Sequence, residues 1–503
     1  MKSTRHPCLP LLTLLAAASL VLTGCGPQPA AMQEITSTAR PPATAIVPPT
    51  PTASLLASTP TISPLPLPAL SLPAGQFYFS RGGQPAFLFS RNVAGFQQAH
   101  FATLFGWSAS GGTGFVRLQL DDLGMGYTST GEVDSQWAAL WDQVLDKAEA
   151  NGLYVLLTFT PWYDWNAGSG YSTWKDNPLN QANGGPVKDP GELFQPGSPT
   201  QTLWLNWMQA LVKRWQGRPN ILGWEIFSEI NLASGSSEAN AIDFVNTAAA
   251  RIRSTDLSGR PVTASIADTG TWPDFYAQAN IDFTNLHPYP PSGQLDRAIV
   301  SEVHTSLGRY HRPVLIGESG LSAETPDSSA GKLTVAANAG RGIRHAIWAG
   351  LVSGAMNGRA LWWEDGVGIY FQSLGIPWMQ KYATAERPAA AFVQGVDFTG
   401  YQPVPASSSS AVWGAAVGNE ASLIGWFRDA GCEPPNWPLQ KSISGQTVTL
   451  AVPGSAADWR VDFYATQTGT TPLGTVFVKR QGGTITIPLP DFQDDIAFKA
   501  SGR

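Results

Sequence analysis

Two glutamates close two apolar segments of this sequence, and their type and placement could support chemistry. Glu229 ends residues 224–229, which read Trp-Glu-Ile-Phe-Ser-Glu, and Glu318 ends residues 314–318, which read Val-Leu-Ile-Gly-Glu. Cleavage of a glycosidic bond needs one carboxylic acid that protonates the leaving oxygen and a second carboxylate that attacks or stabilises the cationic carbon. Either glutamate alone is better explained by a salt bridge or a loop. Together they predict an acid and nucleophile pair, if the fold brings them to one place.

The elements that must position this pair alternate between strand-like and helical patterns. Apolar residues recur at helical spacing from Trp137 to Ala148, after a possible cap at Asp134, and again from Trp204 to Trp215. Eight strand candidates cover residues 87–89, 115–120, 154–159, 221–227, 261–265, 283–286, 313–316 and 360–363. Alternating units of this kind predict an α/β fold, a (β/α)8 TIM barrel. Because chemistry in such barrels sits at the C-terminal strand ends, strands four and seven would bring both glutamates to the barrel mouth.

The N-terminal residues predict an export signal and a linker instead of folded structure. Lys2 and Arg5 precede an apolar run over residues 9–22, which is too short for a comfortable membrane span. Leu-Thr-Gly-Cys at 22–25 resembles a bacterial lipobox, so residues 1–25 are predicted to be a lipoprotein signal peptide with Cys25 lipidated; an ordinary secretory signal is the alternative. Residues 26–73, rich in Pro, Thr, Ser and Ala, predict a disordered tether. We therefore expect an extracellular, lipid-anchored protein at the cell membrane.

The folded part divides by texture into two domains. Residues 74–390 are assigned to the barrel and residues 391–503 to an all-β accessory domain, predicted to be a small sandwich because short alternating segments are separated by turn-forming pairs of Pro and Gly. Trp413, Trp426 and Trp437 could bind glycan there, but packing against the barrel is the favoured explanation. With Cys25 lipidated, Cys432 has no partner for an intrachain disulfide.

Composition and motifs limit the partners. The chain has 503 residues, a formal net charge of -6 and no basic run, so nucleic acid is not expected to bind. Its 19 Trp and 51 Gly suit stacking on sugars, although most single Trp are expected to fill the core. The sequence contains no His-Glu-x-x-His, no Cys-x-x-Cys and no phosphate-binding glycine loop, and a serine nucleophile elbow fails at Leu321. We expect no metal, no cofactor and a monomer.

Taken in order along the chain, the motifs resemble those of clan A glycoside hydrolases, especially cellulase-like members of family 5. The resemblance covers roughly residues 87–371. The strand-four motif Trp-Glu-x-x-Asn-Glu is matched at residues 224–229 except at Ser228, and the strand-seven Gly-Glu is matched at residues 317–318. The other matches are the arginine of strand two at Arg117, the His-x-Tyr of strand six at His287 and Tyr289, and the tryptophan of strand eight at Trp362 or Trp363.

The resemblance implies roles for these residues. Glu229 would be the acid/base and Glu318 the nucleophile of a retaining glycosidase. Arg117 and Tyr289 would hold Glu318 ionised. His287 would contact the substrate or the acid/base, with a hydrogen-bonded wall residue as the alternative.

Other residues of the barrel mouth are read from their positions. Trp162, directly after strand three, is predicted to line sugar subsites, with a self-packed loop as the alternative. Glu225 is expected to form a buried ion pair. Glu364 and Asp365 are rival carboxylates that we expect to be solvated loop residues.

Ser228 is the departure from the family motif that matters. The family's asparagine hydrogen-bonds the sugar 2-hydroxyl, and serine leaves three outcomes open: the contact is lost, bridged by water, or retuned for another epimer. It also motivates a second hypothesis, a non-catalytic carbohydrate-binding lipoprotein on a degenerate barrel. The predicted substrate is a β-linked polysaccharide or oligosaccharide of the β-glucan or β-mannan type. The sequence does not determine the sugar or endo against exo action.

Overall fold

The computed structural model describes residues 67–503 apart from residues 94–97, 171, 322–332, 334–335, 359, 362–384 and 440–441. The predicted signal peptide with Cys25, most of the tether, Tyr171, Trp362, Trp363, Glu364 and Asp365 lie outside the described residues. In the part of the chain that is described, no helix is long and apolar enough to cross a membrane.

A small antiparallel sheet precedes the barrel. It contains β1 (Leu70–Ser71), β2 (Phe79–Arg81) and β3 (Gln84–Ala86), and β1 lies within the residues assigned to the tether. The Tyr154 hydroxyl donates to the Pro68 carbonyl at 2.5 Å, and the Arg81 guanidinium lies 5.7 Å from the centre of the Tyr154 ring. Since Tyr154 begins the third barrel strand, this sheet lies at the N-terminal end of the barrel strands, opposite the mouth.

The predicted α/β barrel is confirmed. Its strands are β4 (Ser90–Asn92), β5 (Phe115–Gln119), β6 (Tyr154–Thr158), β7 (Ile221–Glu225), β8 (Val262–Thr263), β9 (Thr284–Leu286), β10 (Val314–Ile316) and β11 (Ala360–Leu361). Every strand pairing among them is parallel, and β11 pairs with β4 to close the ring on that side. The helices are α1 (Gln98–Gly111), α2 (Ser135–Ala150), α3 (Pro199–Trp215), α4 (Glu238–Thr255), α5 (Phe275–Gln278), α6 (Leu295–Tyr310), α7 (Ala339–Leu351) and α8 (Arg387–Phe392).

Local sequence explains the helices well. The Asp134 carboxylate accepts the N–H groups of Gln136 and Trp137 and so caps α2, as predicted. Ser198 caps α3 in the same way, and the tryptophans of that helix are buried against the barrel. Leu140 is the exception to the predicted apolar stripe of α2, because its side chain is 37% exposed.

The first barrel strand begins three residues later than its apolar pattern predicted. The Phe87 ring stacks on Phe398 and also contacts the Phe89 ring, whereas the ladder with β5 uses the polar residues Ser90–Asn92. These polar side chains are buried and hydrogen-bonded; the Ser90 hydroxyl, for example, accepts from Asn357 Nδ2 at 2.7 Å. Hydrophobicity therefore located the strand but hid its polar C-terminal end.

The C-terminal β domain consists of two antiparallel sheets. Its strands are β12 (Gln402–Val404), β13 (Ala406–Ser408), β14 (Val412–Gly418), β15 (Ser422–Asp429), β16 (Thr447–Ala451), β17 (Asp458–Tyr464), β18 (Pro472–Lys479), β19 (Thr484–Pro488) and β20 (Asp495–Gly502). The large sheet has the order β12-β14-β15-β20-β17-β18 and the small one β13-β16-β19. Aliphatic and aromatic side chains from both sheets, such as Val461, Ile485 and Phe498, form one buried core.

The β domain packs on the barrel through α7. Trp426 is fully buried, with its ring 5.6 Å from that of His345 on α7 and its N–H bonded to Asp495. Trp437 is buried against Gly342 of the same helix. Burial excludes both rings as surface platforms for glycan, and the packing explanation of this domain is favoured.

Candidate active site

Glu229 lies just beyond β7, in a backbone conformation that glutamate rarely adopts. Its φ and ψ angles of 56° and 47° are left-handed, which costs about 1–2 kcal/mol for a residue with a Cβ. Ser265, two residues beyond β8, holds this turn: its hydroxyl accepts the Glu229 N–H at 3.0 Å and its carbonyl accepts the Ile230 N–H at 3.0 Å. Backbone strain that neighbouring elements enforce is typical of functional positions.

Glu318 follows β10 after a single glycine. The Gly317 N–H donates to the Leu286 carbonyl at 2.9 Å, and the Gly317 carbonyl accepts from Asn92 Nδ2 at 2.8 Å. A Cβ at this position would lie 1.9 Å from Asn285 Oδ1. Only glycine therefore allows the chain to pass this close to β9 and to start Glu318 at the barrel mouth.

Arg117, on β5, connects both glutamate segments across the barrel interior. Its guanidinium binds Glu225 through Nε at 2.5 Å and Nη2 at 2.9 Å, and it reaches Glu318 through Nη1 at 2.8 Å. The same group donates to Asn92 Oδ1 at 2.9 Å and to Ser228 Oγ at 2.8 Å. The expected buried ion pair of Glu225 is confirmed, and its partner is the arginine that also holds Glu318. All donor directions of this planar fork are used inside the protein.

The two glutamates meet at His287. Nδ1 of this histidine lies 2.8 Å from Glu229 Oε1 and 3.7 Å from Glu318 Oε2. One oxygen of each carboxylate and a ring nitrogen of His287 all lie within 4.8 Å of one another. The side chains of Glu229 and Glu318 remain 15% and 9% exposed, while His287 is fully enclosed. The barrel mouth thus presents two adjacent carboxyl groups that solvent, or a ligand, can reach.

Three further donors surround Glu318. The Tyr289 hydroxyl donates to Oε2 at 3.1 Å, and Gln119 Nε2 and the Ser228 hydroxyl approach Oε1 at 3.4 Å and 3.5 Å. Oε1 also accepts from Arg117, so it is the more saturated of the two oxygens. The arginine and the three donors therefore fix the orientation of the Glu318 carboxyl group.

Burial and charge act in opposite directions on the ionisable groups. Burial alone would lower the pKa of His287, but the carboxylates of Glu318 and Glu229 outweigh it and raise that pKa above its ordinary value. Burial would raise the pKa of Glu225, yet the charge and hydrogen bonds of Arg117 hold it below the usual range. Arg117 itself has a raised pKa despite its burial, because Glu225 and Glu318 both contact it. Glu225 and Arg117 therefore form a permanently charged ion pair beneath Glu229 and Glu318.

The loop after β6 divides between rim and core. Pro161 forms a β-bridge with Ser228, which brings Trp162 to the rim of the site, where its ring is partly buried. Trp165 and Trp174 are buried, with ring centres 5.5 Å apart. The self-packed alternative therefore describes the deeper rings of this loop, and the role of Trp162 in sugar binding stays a prediction.

The structure brings six predicted residues into one connected network: Arg117, Ser228, Glu229, His287, Tyr289 and Glu318. Trp162 lies at the rim, and Trp362 and Trp363 lie outside the described residues. Sequence reasoning missed Asn92 and Gln119, which bind Arg117 and Glu318. Each is a polar residue that ends a buried strand, and that position was the available clue.

Two sets of side chains among the described residues have a spacing that could hold a metal ion. The first is Glu229, His287 and Glu318. The adjacent Arg117 guanidinium and the raised pKa of His287 oppose binding of a second cation there. The second is His345, Cys432 and Asp494, and there Arg341 and Arg344 already bind the Asp494 carboxylate.

Comparison with known proteins gives the following matches. Residues 97–351 match the family model described as Cellulase (glycosyl hydrolase family 5). A glycoside hydrolase family 5 protein of Bacteroides vulgatus has a similar structure, with a TM-score of 0.57 and 13% sequence identity over 86% of this chain and 93% of its own. At this identity the similarity shows the fold.

Two further structures have lower similarity. An endo-1,4-beta-mannanase from Eisenia fetida has a TM-score of 0.44 and 16% identity over 65% of this chain and 96% of its own. A GH30 endoxylanase from Clostridium papyrosolvens has a TM-score of 0.46 and 13% identity over 83% of this chain and 97% of its own. No protein of curated function matches the sequence.

Proposed function

The chain belongs to glycosyl hydrolase family 5, and from this premise we propose that it cleaves β-linked polysaccharides or oligosaccharides by double displacement, with retention at the anomeric carbon. Family membership makes it a glycosidase. Glu318 is the nucleophile and Glu229 the acid/base. The substrate is of the β-glucan or β-mannan type.

The spacing of the two carboxyl groups is the observation that carries this proposal. Oxygens of Glu229 and Glu318 approach within 4.8 Å. Retaining glycosidases separate their carboxyl groups by about 5–5.5 Å, whereas inverting enzymes leave roughly 6.5–9.5 Å for a water molecule. The observed approach supports direct attack by one carboxylate on the sugar.

The first step uses the oxygens that the protein leaves available. Among the described residues, Glu318 Oε1 accepts from Arg117 and Gln119, whereas Oε2 accepts from Tyr289 alone and so keeps a lone pair for attack on the anomeric carbon. As that bond forms, the glycosidic bond breaks and its oxygen takes a proton from Glu229. Among the described residues no donor or acceptor occupies Glu229 Oε2, while His287 Nδ1 binds Oε1. A protonated His287 would stabilise the Glu229 carboxylate that remains.

The second step reverses these roles. Water enters where the leaving group stood, Glu229 takes its proton, and the oxygen attacks the anomeric carbon. The bond to Glu318 breaks and the carboxylate returns to Arg117 and Tyr289. The two glutamates, with His287 bonded to Glu229, can therefore carry out both halves of the proposed cycle.

A non-catalytic binder gains no support from this site. Its motivation was Ser228 and the C-terminal β domain. Ser228 is integrated into the network through Arg117 and Glu318 instead of interrupting it, and Trp426 and Trp437 of the β domain are buried. A binder would also have no need for a strained Glu229 beside a second carboxylate. Trp162 at the rim is proposed to stack on a bound sugar.

Replacement of Glu229 by alanine tests the mechanism. For 4-nitrophenyl β-glycosides the first step should survive, because this leaving group needs little protonation, and azide should accelerate the second step and yield a β-glycosyl azide. Proton NMR of the first product of the wild-type protein gives the decisive observation. An α-anomer released from a β-glycoside would overturn the double displacement, and absence of turnover on all glucans and mannans tested would favour the binder.

Anchoring at Cys25 is a separate proposal, supported by the lipobox-like residues 22–25 and the tether sequence behind them. The protein would then face the extracellular side of the membrane. Cys25→Ser should move the protein out of the membrane fraction, or leave an unprocessed precursor, without changing its turnover. Mass spectrometry that finds an unmodified mature N-terminus on the wild-type protein would overturn the assignment.

A further inference from the structure

A chain of hydrogen bonds leads away from Glu318 to residues that the proposed mechanism does not use. Gln119 Nε2 lies 3.4 Å from Glu318 Oε1, and the Oε1 atom of the same amide lies 3.1 Å from the Tyr163 hydroxyl. That hydroxyl also lies 2.7 Å from Asp121 Oδ2. Gln119 ends β5, Asp121 follows it, and Tyr163 lies in a short 3-10 helix, Trp162–Trp165.

The hydroxyl of Tyr163 cannot serve both neighbours in the same way. It carries one proton, and both Gln119 Oε1 and an ionised Asp121 can only accept. If an ionised Asp121 accepts the hydrogen bond of the Tyr163 hydroxyl, Gln119 Oε1 loses its donor. If Asp121 is protonated, its O–H donates to the Tyr163 oxygen, and the tyrosine proton is free for Gln119.

The orientation of the Gln119 amide matters to Glu318. With Oε1 fixed by Tyr163, Nε2 must face the carboxylate and donate to it. Without that anchor the amide can rotate and place its oxygen beside the Glu318 oxygen, which would be repulsive. The state of Asp121 therefore decides how many donors Glu318 has.

We propose that Tyr163 and Asp121 are positioning residues that orient the Gln119 amide toward Glu318, and that this relay is intact when Asp121 is neutral. The inference rests on the proposed function, because it assigns a consequence to the nucleophile. It adds control of the nucleophile by a proton that is neither on the acid/base nor on the substrate.

The surroundings of Asp121 place its titration in a useful range. Burial raises the pKa of Asp121 to about 6, although the Tyr163 hydrogen bond and the Arg117 charge act to lower it. Burial and the charge of Asp121 raise the pKa of the neighbouring Asp164 as well. Tyr163 faces Asp121, Asp164 and Asp122, and burial together with these charges raises its pKa well above the ordinary value, so the phenol keeps its proton.

The direction of the pH effect follows. Asp121 is neutral below about pH 6, so the relay is complete on the acid side and weakens as the pH rises through that value. Ionisation of Asp121 removes the effect of one hydrogen bond and should therefore lower kcat roughly three- to tenfold.

The test measures kcat and kcat/KM from pH 4.5 to 8.5 for the full-length protein on 4-nitrophenyl β-cellobioside and β-mannobioside. Tyr163→Phe should lower kcat roughly three- to tenfold at pH 5, change KM little, and remove the inflection near pH 6. Asp121→Asn can donate its amide N–H to Tyr163 at any pH, so its kcat should exceed that of the wild type at pH 7.5. Tyr401→Phe, which removes a hydroxyl bonded to Ser422, and Asp146→Asn at an exposed site are the matched controls.

A double variant distinguishes loss of the relay from a general loss of folding. Gln119→Ala combined with Tyr163→Phe should lose no more kcat than Gln119→Ala alone, because the tyrosine acts only through the amide. Additive losses, or a Tyr163→Phe profile that parallels the wild-type curve, would overturn the relay. Turnover that survives Glu318→Ala would instead overturn the proposed function, so the two failures are distinguishable.

Discussion

Two clusters of side chains in this protein combine arginine, histidine and carboxylates in different proportions. The mouth cluster consists of Arg117, Glu225, Glu229, His287 and Glu318. The interface cluster, between α7 and the start of β20, consists of Arg341, Arg344, His345, Asp494 and Asp495. Each has a histidine bonded to a carboxylate, at 2.8 Å in the mouth cluster and 2.7 Å in the interface cluster.

The clusters differ in how their charges are matched. In the interface cluster, Arg341, Arg344 and His345 all bind Asp494, and Arg344 also binds Asp495, so each carboxylate is bound by at least one arginine. In the mouth cluster three glutamates share one arginine and a histidine whose Nε2 has no partner among the described residues. Of these two clusters, only the mouth cluster combines a strained backbone with carboxylates that lack an arginine of their own. Asp494 of the interface cluster also has a left-handed φ, of 70°, but two arginines bind its carboxylate. This combination separates a reactive site from a structural one more clearly than residue identity does.

Replacement of Glu318 in the mouth cluster should change kcat more than any other substitution considered. Glu318→Ala should lower kcat by about four orders of magnitude or more, because it removes the proposed nucleophile of the covalent step. It should not destabilise the fold, since it removes negative charge from a cluster that has an excess, and Arg117 keeps Glu225 as its partner. Turnover and thermal unfolding of the same preparation check both statements. A large fall in Tm would mean that the mouth cluster is structural.

The interface cluster should give the reverse result with Asp494→Ala. This variant removes the carboxylate shared by buried His345 and half-buried Arg344, although Arg344 keeps Asp495. The loss should cost about 3 kcal/mol of unfolding free energy, while kcat at low temperature stays near the wild-type value. Burial would raise the pKa of Asp494, but His345, Arg344 and Arg341 hold it well below the ordinary range. Its contribution is therefore present above about pH 4 and lost as the pH falls further. Urea unfolding at pH 7 and pH 3 measures both effects, and an equal loss for variant and wild type on acidification would contradict them.

The sequence predicted most helices and strands because buried apolar residues recur at the spacing that is typical of each element. This spacing is present in α2, in α3 and in most barrel strands, and Asp134 could be recognised as the cap of α2 from its neighbours in sequence. The pattern failed at β4, where the ladder residues Ser90–Asn92 are polar and their burial depends on partners such as Asn357 and Arg117. A hydropathy pattern cannot detect polar residues whose hydrogen bonds come from distant strands.

The site could be predicted to the extent that it lies at strand ends. Glu229 and Glu318 follow apolar runs, but the left-handed turn at Glu229 depends on Ser265, which is 36 residues away in sequence. The double use of Arg117 by Glu225 and Glu318 depends on the diameter of the closed barrel, which no local pattern contains. For the same reason the sequence left open what Ser228 contacts.

Replacement of Ser228, which contacts Arg117 and Glu318 of the mouth cluster, should have a smaller effect on kcat and stability. Ser228→Ala leaves Arg117 Nη2 with one bond fewer in a buried place, so the unfolding free energy should fall by about 1–3 kcal/mol. Glu318 also loses a nearby hydroxyl, and kcat should fall roughly tenfold. Ser236→Ala, which removes a hydroxyl bonded to the Ala233 carbonyl, is the matched control. A variant with wild-type kcat would show that Ser228 only fills space.

The smallest effect comes from a site outside both clusters and calibrates the stability scale. Asp134→Ala removes the cap of α2, whose carboxylate accepts two backbone N–H groups at 2.8 Å and 3.0 Å. Loss of such a cap costs about 1 kcal/mol. The effect on kcat should be nil, because α2 contributes no residue to the mouth cluster. Urea unfolding and turnover of this variant therefore show how far kcat tolerates a modest loss of stability. If Asp134→Ala lowered kcat as much as Ser228→Ala does, the kcat loss of Ser228→Ala would have to be assigned to general destabilisation instead of to the contacts of its hydroxyl with Arg117 and Glu318.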